Sequence, residues 1–217
     1  MDSKLARARQ VLAVAESRLG IVSANRQADF SDAYSVPSFW EAVLPHGLLR
    51  RGVLSVEGSF SGGIALAGCA SQAGAWVISI GRDGDDPSFL LDSGIDLERF
   101  AYVDAREDVS VRVVSVATSG FGVVMLGDMP LSDRERSVLL SQALAHDCLI
   151  IAPHWKRASA GVQCRLLGVS GISGGEGHIS HVNYEMSSRY GSARMSFTRT
   201  GWEGAATQAQ LRLVEVA

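Results

Sequence analysis

Apolar residues in the middle of this chain fall in short continuous blocks, with little polar alternation. Val53-Leu54-Ser55-Val56-Glu57 after Gly52, Ala75 to Ile80, Phe100 to Val103, Gly122 to Leu126 and Cys148 to Ala152 each have the length of a strand. Blocks of this kind suit strands covered on both faces, as in a parallel sheet layered by helices. Helix signals lie between them. Ile64 to Ala73 is rich in small and apolar residues, and Ser132-Asp133-Arg134-Glu135 is a capping box that opens a helix running to about His146. Asp104 to Ser119 carries both signals, its valines favouring strand and its place between two strands favouring a crossover helix.

After Pro153 the texture changes. Val162 to Val169, Ile179 to Ser188 and Ala193 to Arg199 are separated by glycine-rich turns near Gly174-Gly175 and Gly191, which predicts antiparallel strands added to the sheet edge. At the other end, Leu5, Ala8, Leu12, Ala15 and Leu19 recur at helical spacing behind Asp2 or Ser3, and Gly20 closes the run. This narrow apolar seam either packs on its own domain or meets another chain. Val22 to Ser38, rich in Ser, Asp, Asn and Ala, reads as a tether. Gln208 to Ala217, with Leu211, Leu213, Val214 and Val216, reads as a short strand or a docking tail.

The pattern gives one α/β domain with arms: residues 1–35 as helix and tether, 36–200 as the core and 201–217 as a tail. At 217 residues and 47% hydrophobic content the chain supports one such core and not two. Net charge is −3, but residues 1–150 hold 13 basic and 19 acidic side chains while 151–217 hold 7 and 4. That asymmetry of −6 against +3 favours an anionic partner near the C-terminus, such as nucleic acid, and equally fits ordinary surface scatter. Cys69, Cys148 and Cys164 are far apart and set among small or apolar neighbours, so they read as free thiols in a reducing cytoplasm. His178-x-x-His181 lies in a glycine-rich turn region and reads as solvent-facing, so no metal site is expected. Asp2, Lys4, Arg7 and Arg9 precede no apolar leader core, and the uncharged stretch Ser59 to Gly81 is interrupted by glycines and Gln72. Neither reads as a membrane or export signal, and a cytoplasmic location is expected.

The chemistry centres on Gly58-Ser59-Phe60-Ser61-Gly62-Gly63-Ile64-Ala65. This run keeps both anchor glycines of G-x-x-x-x-G-K-[ST], Gly58 and Gly63, between a strand-like and a helix-like segment. In a working phosphate loop, backbone N–H groups cradle the phosphates, Lys reaches the outer ones and the hydroxyl holds Mg²⁺. Here Ile64 replaces the Lys and Ala65 the hydroxyl residue. A buried phosphate without its cation loses about 3–5 kcal/mol, roughly two to four decades in affinity.

With its elements in this order, the chain resembles the RecA recombinase core over roughly residues 36–200. Leu44-Pro45-His46-Gly47-Leu48-Leu49 looks like the family's approach to its phosphate loop, and Ser93-Gly94-Ile95-Asp96-Leu97-Glu98-Arg99-Phe100 after Asp86-Pro87 like the segment following its second strand. The resemblance implies a RecA-like core with a mostly parallel central sheet flanked by helices, antiparallel C-terminal strands and an N-terminal helix arm. The departures bear on function. Arg82 stands where the family has its water-activating Glu, and Gly127 precedes Asp128 where a metal-supporting Asp should follow the strand directly. The two DNA-binding loops are cut to about Met129 to Leu131 and Trp155 to Gly161, with Lys156 and Arg157 left at the second root.

A RecA-like chain of this size without nucleotide chemistry resembles the short, ATP-site-lacking branch of the ImuA-type accessory proteins of bacterial SOS mutagenesis. That implies no enzyme activity, no cofactor and no metal. It also implies partnership with ImuB, a Y-family polymerase homologue, and through it with a DnaE-type polymerase. RecA or a second copy are further candidate partners, and any nucleic-acid contact would be indirect. Leu5, Leu12 and Leu19 of the seam, with Leu211, Leu213 and Val214 of the tail, are the candidate partner-binding residues. Two readings compete: a SulA-like inhibitor of cell division, and a residual nucleotide-binding enzyme using Asp83, Asp85, Asp86 or Asp128 for metal. Asp83-Gly84-Asp85-Asp86-Pro87 otherwise reads as a solvated turn.

Overall fold

A computed structural model describes residues 32–104, 111–173 and 176–205. The N-terminal seam, the tail from 206 on, and their candidate partner-binding leucines and valine lie outside the described residues. A nine-stranded sheet forms the centre, in the order β3-β2-β4-β5-β1-β6-β7-β8-β9. Its parallel part is β1 (Gly52–Gly58), β2 (Val77–Ile80), β3 (Phe100–Val103), β4 (Val123–Leu126) and β5 (Leu149–Ala152). Three of the crossovers between these strands carry the helices α1 (Ser61–Gln72), α3 (Val111–Gly120) and α4 (Asp133–Ala145), and α2 (Pro87–Asp92) precedes β3.

Strand alternation sends the apolar blocks to opposite faces. Leu54, Val77, Val123, Met125, Leu149 and Ile151 join Leu66 and Ala70 of α1 in one core. Val53, Ile78, Val124 and Ile150 join Val114 of α3 and Leu139 of α4 in the other. Both sides of β1, β2, β4 and β5 are largely dry, which is why those blocks read as continuous, whereas the edge strand β3 is half-exposed. Within the ambiguous stretch 104–119 the helix prevails from Val111, because the parallel pairing of β2 with β3 and β4 requires a crossover. The capping box forms as expected: Ser132 Oγ accepts from the Glu135 N–H, and the Glu135 carboxylate accepts from the Ser132 N–H at 2.8 Å.

On the other side of β1, β6 (Ala160–Ser173) continues the parallel part, and β7 (Glu176–Ser187), β8 (Ser192–Thr198) and β9 (Gly201–Gly204) follow antiparallel. The last strand extends the sheet past the boundary expected at residue 200. The tether reading also needs correction. Tyr34 is buried, pairs with Leu48 through two backbone hydrogen bonds of 2.8 and 3.0 Å, and carries Arg50 over its ring. A segment rich in polar residues is thereby held from Tyr34 onward by one aromatic side chain in the core.

Among the described residues no helix is long and apolar enough to cross a membrane. His178 and His181 both lie on β7 and not in a turn. All three cysteines are free, Cys148 and Cys164 buried and Cys69 partly so.

Candidate functional site: a closed nucleotide cradle

In parallel α/β sheets, ligands sit beyond the carboxyl ends of the strands. Here that rim is formed by Gly58, Gly81, Gly127 and Pro153. At Gly58 the backbone is left-handed, with φ of 82°, and an added Cβ would stand 2.3 Å from the Cys164 carbonyl oxygen. The first anchor glycine is therefore required by close approach to β6, whether or not a phosphate ever binds.

The loop that should follow is too short to be a cradle. Helix α1 starts at Ser61, so only Ser59 and Phe60 separate strand from helix. Several of its N–H groups are already taken. Ser59 donates to the Cys164 carbonyl at 2.9 Å, Ser61 to the Ser59 hydroxyl at 3.4 Å, and Ile64 to the Phe60 carbonyl at 3.1 Å. Gly63, the second anchor, lies inside the helix, and an added Cβ there would meet Ile151 and the Phe60 ring at 3.1 Å. Ile64 and Ala65, the residues in place of the Lys and the hydroxyl, are 4% and 3% exposed and belong to the core. These side chains stabilise the fold by burial, where a cation and a hydroxyl would face a ligand.

Arg82 fills the mouth. Its guanidinium lies 3.6 Å from the centre of the Phe60 ring and forks onto Asp85, with Nε and Nη2 each about 3.0–3.2 Å from a carboxylate oxygen. The Asp85 side chain is 2% exposed and also accepts a hydrogen bond from the Ser79 hydroxyl, while the Arg82 side chain is 14% exposed. Tyr102 donates to the Arg82 carbonyl at 2.8 Å. The group expected as a lost base is thus a plug, and the turn expected to be solvated contains a buried carboxylate. Asp86 caps α2 by accepting from the Ser88 and Phe89 N–H groups at 2.8 and 3.0 Å, and Asp128 is exposed. Gly127 stands so close to β2 that a Cβ would fall 1.8 Å from the Gly81 oxygen. The missing Asp after β4 is thus replaced by backbone contact.

The far side of the rim is fastened as well. Glu57 accepts from the Ser55 hydroxyl at 2.9 Å and the His154 N–H at 3.1 Å, and its second oxygen meets His154 Nδ1 at 2.7 Å. Ser55 Oγ accepts from the Trp155 N–H, and Arg136 donates to the His154 carbonyl while lying over the Trp155 ring. Residues 153–159, where a recombinase has its second DNA-binding loop, form a short strap from β5 to β6 with Lys156 and Arg157 exposed. The residues present do not fit a nucleotide: the lysine and hydroxyl positions are core, an aromatic–guanidinium pair occupies the mouth, and the Ser59 and Ser61 N–H groups are engaged within the fold. Sequence reasoning missed the role of Phe60 and offered Asp85 only as a metal candidate, not as the buried partner of Arg82. The one available signal was Ser79, a hydroxyl inside the otherwise apolar strand Val77–Ile80.

Residues 42–157, more than half of the chain, match the family model described as MT3502 N-terminal domain. The chain belongs to this family. Among solved structures, the crystal structure of the RadB recombinase aligns with a TM-score of 0.58 and 16% identity, covering 78% of this chain and 97% of that one. At that identity the likeness shows the fold: a RecA-like α/β domain. No curated protein matches the chain.

Proposed function

We propose that this protein is a non-catalytic RecA-like accessory factor of the ImuA type, acting in DNA-damage-induced mutagenesis through contacts with an ImuB-like Y-family polymerase homologue and, through it, a DnaE-type polymerase. The observation that carries the reading is the closed cradle, where the lysine, hydroxyl and catalytic-base positions have all become internal structure. Coordinated conversion of this kind removes nucleotide chemistry while keeping the fold that presents the surfaces.

The test is genetic and biochemical together. Deleting the gene should abolish damage-induced mutagenesis, and the purified chain should co-elute with the purified ImuB-type protein. Unchanged mutagenesis on deletion, with cell filamentation on overproduction in the absence of ImuB, would replace this reading with a SulA-like one.

A further inference from the structure

Strand β1 ends at Gly58, opposite Cys164, and the chain then turns into α1. Strand β6 continues for nine more residues. From Arg165 to Gly171 its outer edge has no strand partner among the described residues, while its inner edge is held by β7. Such an edge offers a row of backbone donors and acceptors to any extended chain, and soluble proteins usually guard it with charge. Here it carries Leu166, Leu167 and Val169 at 55%, 41% and 51% exposure. Its one charge, Arg165, is already held by Glu185 at 2.5 Å.

The bulge between Leu166 and Gly168 decides how these side chains point. Leu166 lies opposite Tyr184 and Val169 opposite Val182. Since Tyr184 and Val182 are two apart on β7, they share a face, and so do Leu166 and Val169. This makes the edge complementary to itself. In an antiparallel pairing of two such edges about a two-fold axis between Leu167 and Gly168, Leu166 of one copy meets Val169 of the other. Leu167 meets Gly168, beside which a Cβ would find nothing within 4 Å. Arg165 meets Ser170, so no like charges oppose each other.

We infer that the Arg165–Gly171 edge of β6 pairs antiparallel with the same edge of a second copy, joining two sheets into one and covering the exposed leucines and valine. This goes beyond the functional reading and does not rest on it; a chain with or without ImuB as partner would pair in the same way.

Sedimentation equilibrium of the full chain over a concentration series tests it. The expected result is a mass approaching twice 23.1 kDa. Val169→Lys should return the monomer with its circular dichroism retained, and Ser170→Arg, which sets a cation opposite the other copy's Arg165, should weaken the dimer several-fold. Ser170→Glu should tighten it. Val116→Lys alters an equally apolar but distant position, 66% exposed on α3, and should change nothing. A monomer at every concentration, or a dimer indifferent to both Val169→Lys and Ser170→Arg, overturns the proposal.

Discussion

Replacing Arg82 with alanine removes the only cation that touches the Asp85 carboxylate among the described residues and uncovers the Phe60 ring. The Asp85 side chain is 2% exposed, so water does not take over the lost contacts, and the Ser79 hydroxyl alone remains. Breaking a buried ion pair by deleting one partner costs about 3–5 kcal/mol, and a partly desolvated cation–π contact adds about 1 kcal/mol. Arg82 is itself 14% exposed, which tempers the sum. We expect about 3 kcal/mol, where the same pair on an open turn would give ~1 kcal/mol or less. For a domain of this size that corresponds to a fall of roughly 6–12 °C in melting temperature. Urea unfolding of wild type, Arg82→Ala, Asp85→Asn and the double variant gives the cycle. The single arginine variant should be the least stable, and removing Asp85's charge as well should recover part of the loss. A loss below ~1 kcal/mol with additive single effects would refute the argument that this pair is a buried plug.

Other outcomes follow from the same geometry. Ile64→Lys, which restores the residue type of a phosphate loop, should destabilise the protein by about 3 kcal/mol or more because the ammonium enters the core, and should confer no Mg-ATP binding; a stable variant that binds nucleotide would contradict this. Gly127→Ala should cost at least ~2 kcal/mol in chemical denaturation because its methyl meets the Gly81 backbone, whereas Gly120→Ala, which meets nothing, should be neutral or mildly stabilising. The Ser132 hydroxyl and, next, its N–H hold the Glu135 carboxyl below its ordinary value, so that contribution is present above that value and is lost as pH falls through the lowered one; Ser132→Ala should flatten this part of the stability profile and lower the melting temperature. Burial pushes the Cys148 thiol up to about 12 and Cys69 to about 11, so thiol reagents at pH 8 should label the native chain slowly and the urea-unfolded chain at once. Native stability should decline as pH rises past the ordinary thiol value of 9.0, where only the unfolded chain loses those protons.

Much of the fold was readable because its central parallel strands are buried on both faces and its longest described helix announces itself. Val53 to Glu57, Phe100 to Val103 and the capping box at Ser132 appear where the pattern puts them. Helix α2 escaped because six residues make too short a window for periodicity, although Asp86-Pro87 is the cap and first position of its start. Tyr34 escaped because a single aromatic anchor in a polar stretch carries no period. The site was half legible. Loss of the lysine, hydroxyl and base could be read from Ile64, Ala65 and Arg82, but what replaced them could not. The closure depends on three distant segments meeting: Phe60 after β1, Arg82 and Asp85 after β2, and Cys164 on β6. No local spacing encodes that meeting, since it follows from the strand order.

Isothermal titration of the purified full-length protein with Mg-ATP at millimolar ligand tests the closed cradle most directly. The account predicts heats indistinguishable from dilution, in the wild type and in Arg82→Ala alike. A saturable heat that disappears on changing a residue between Gly58 and Ala65 would contradict it.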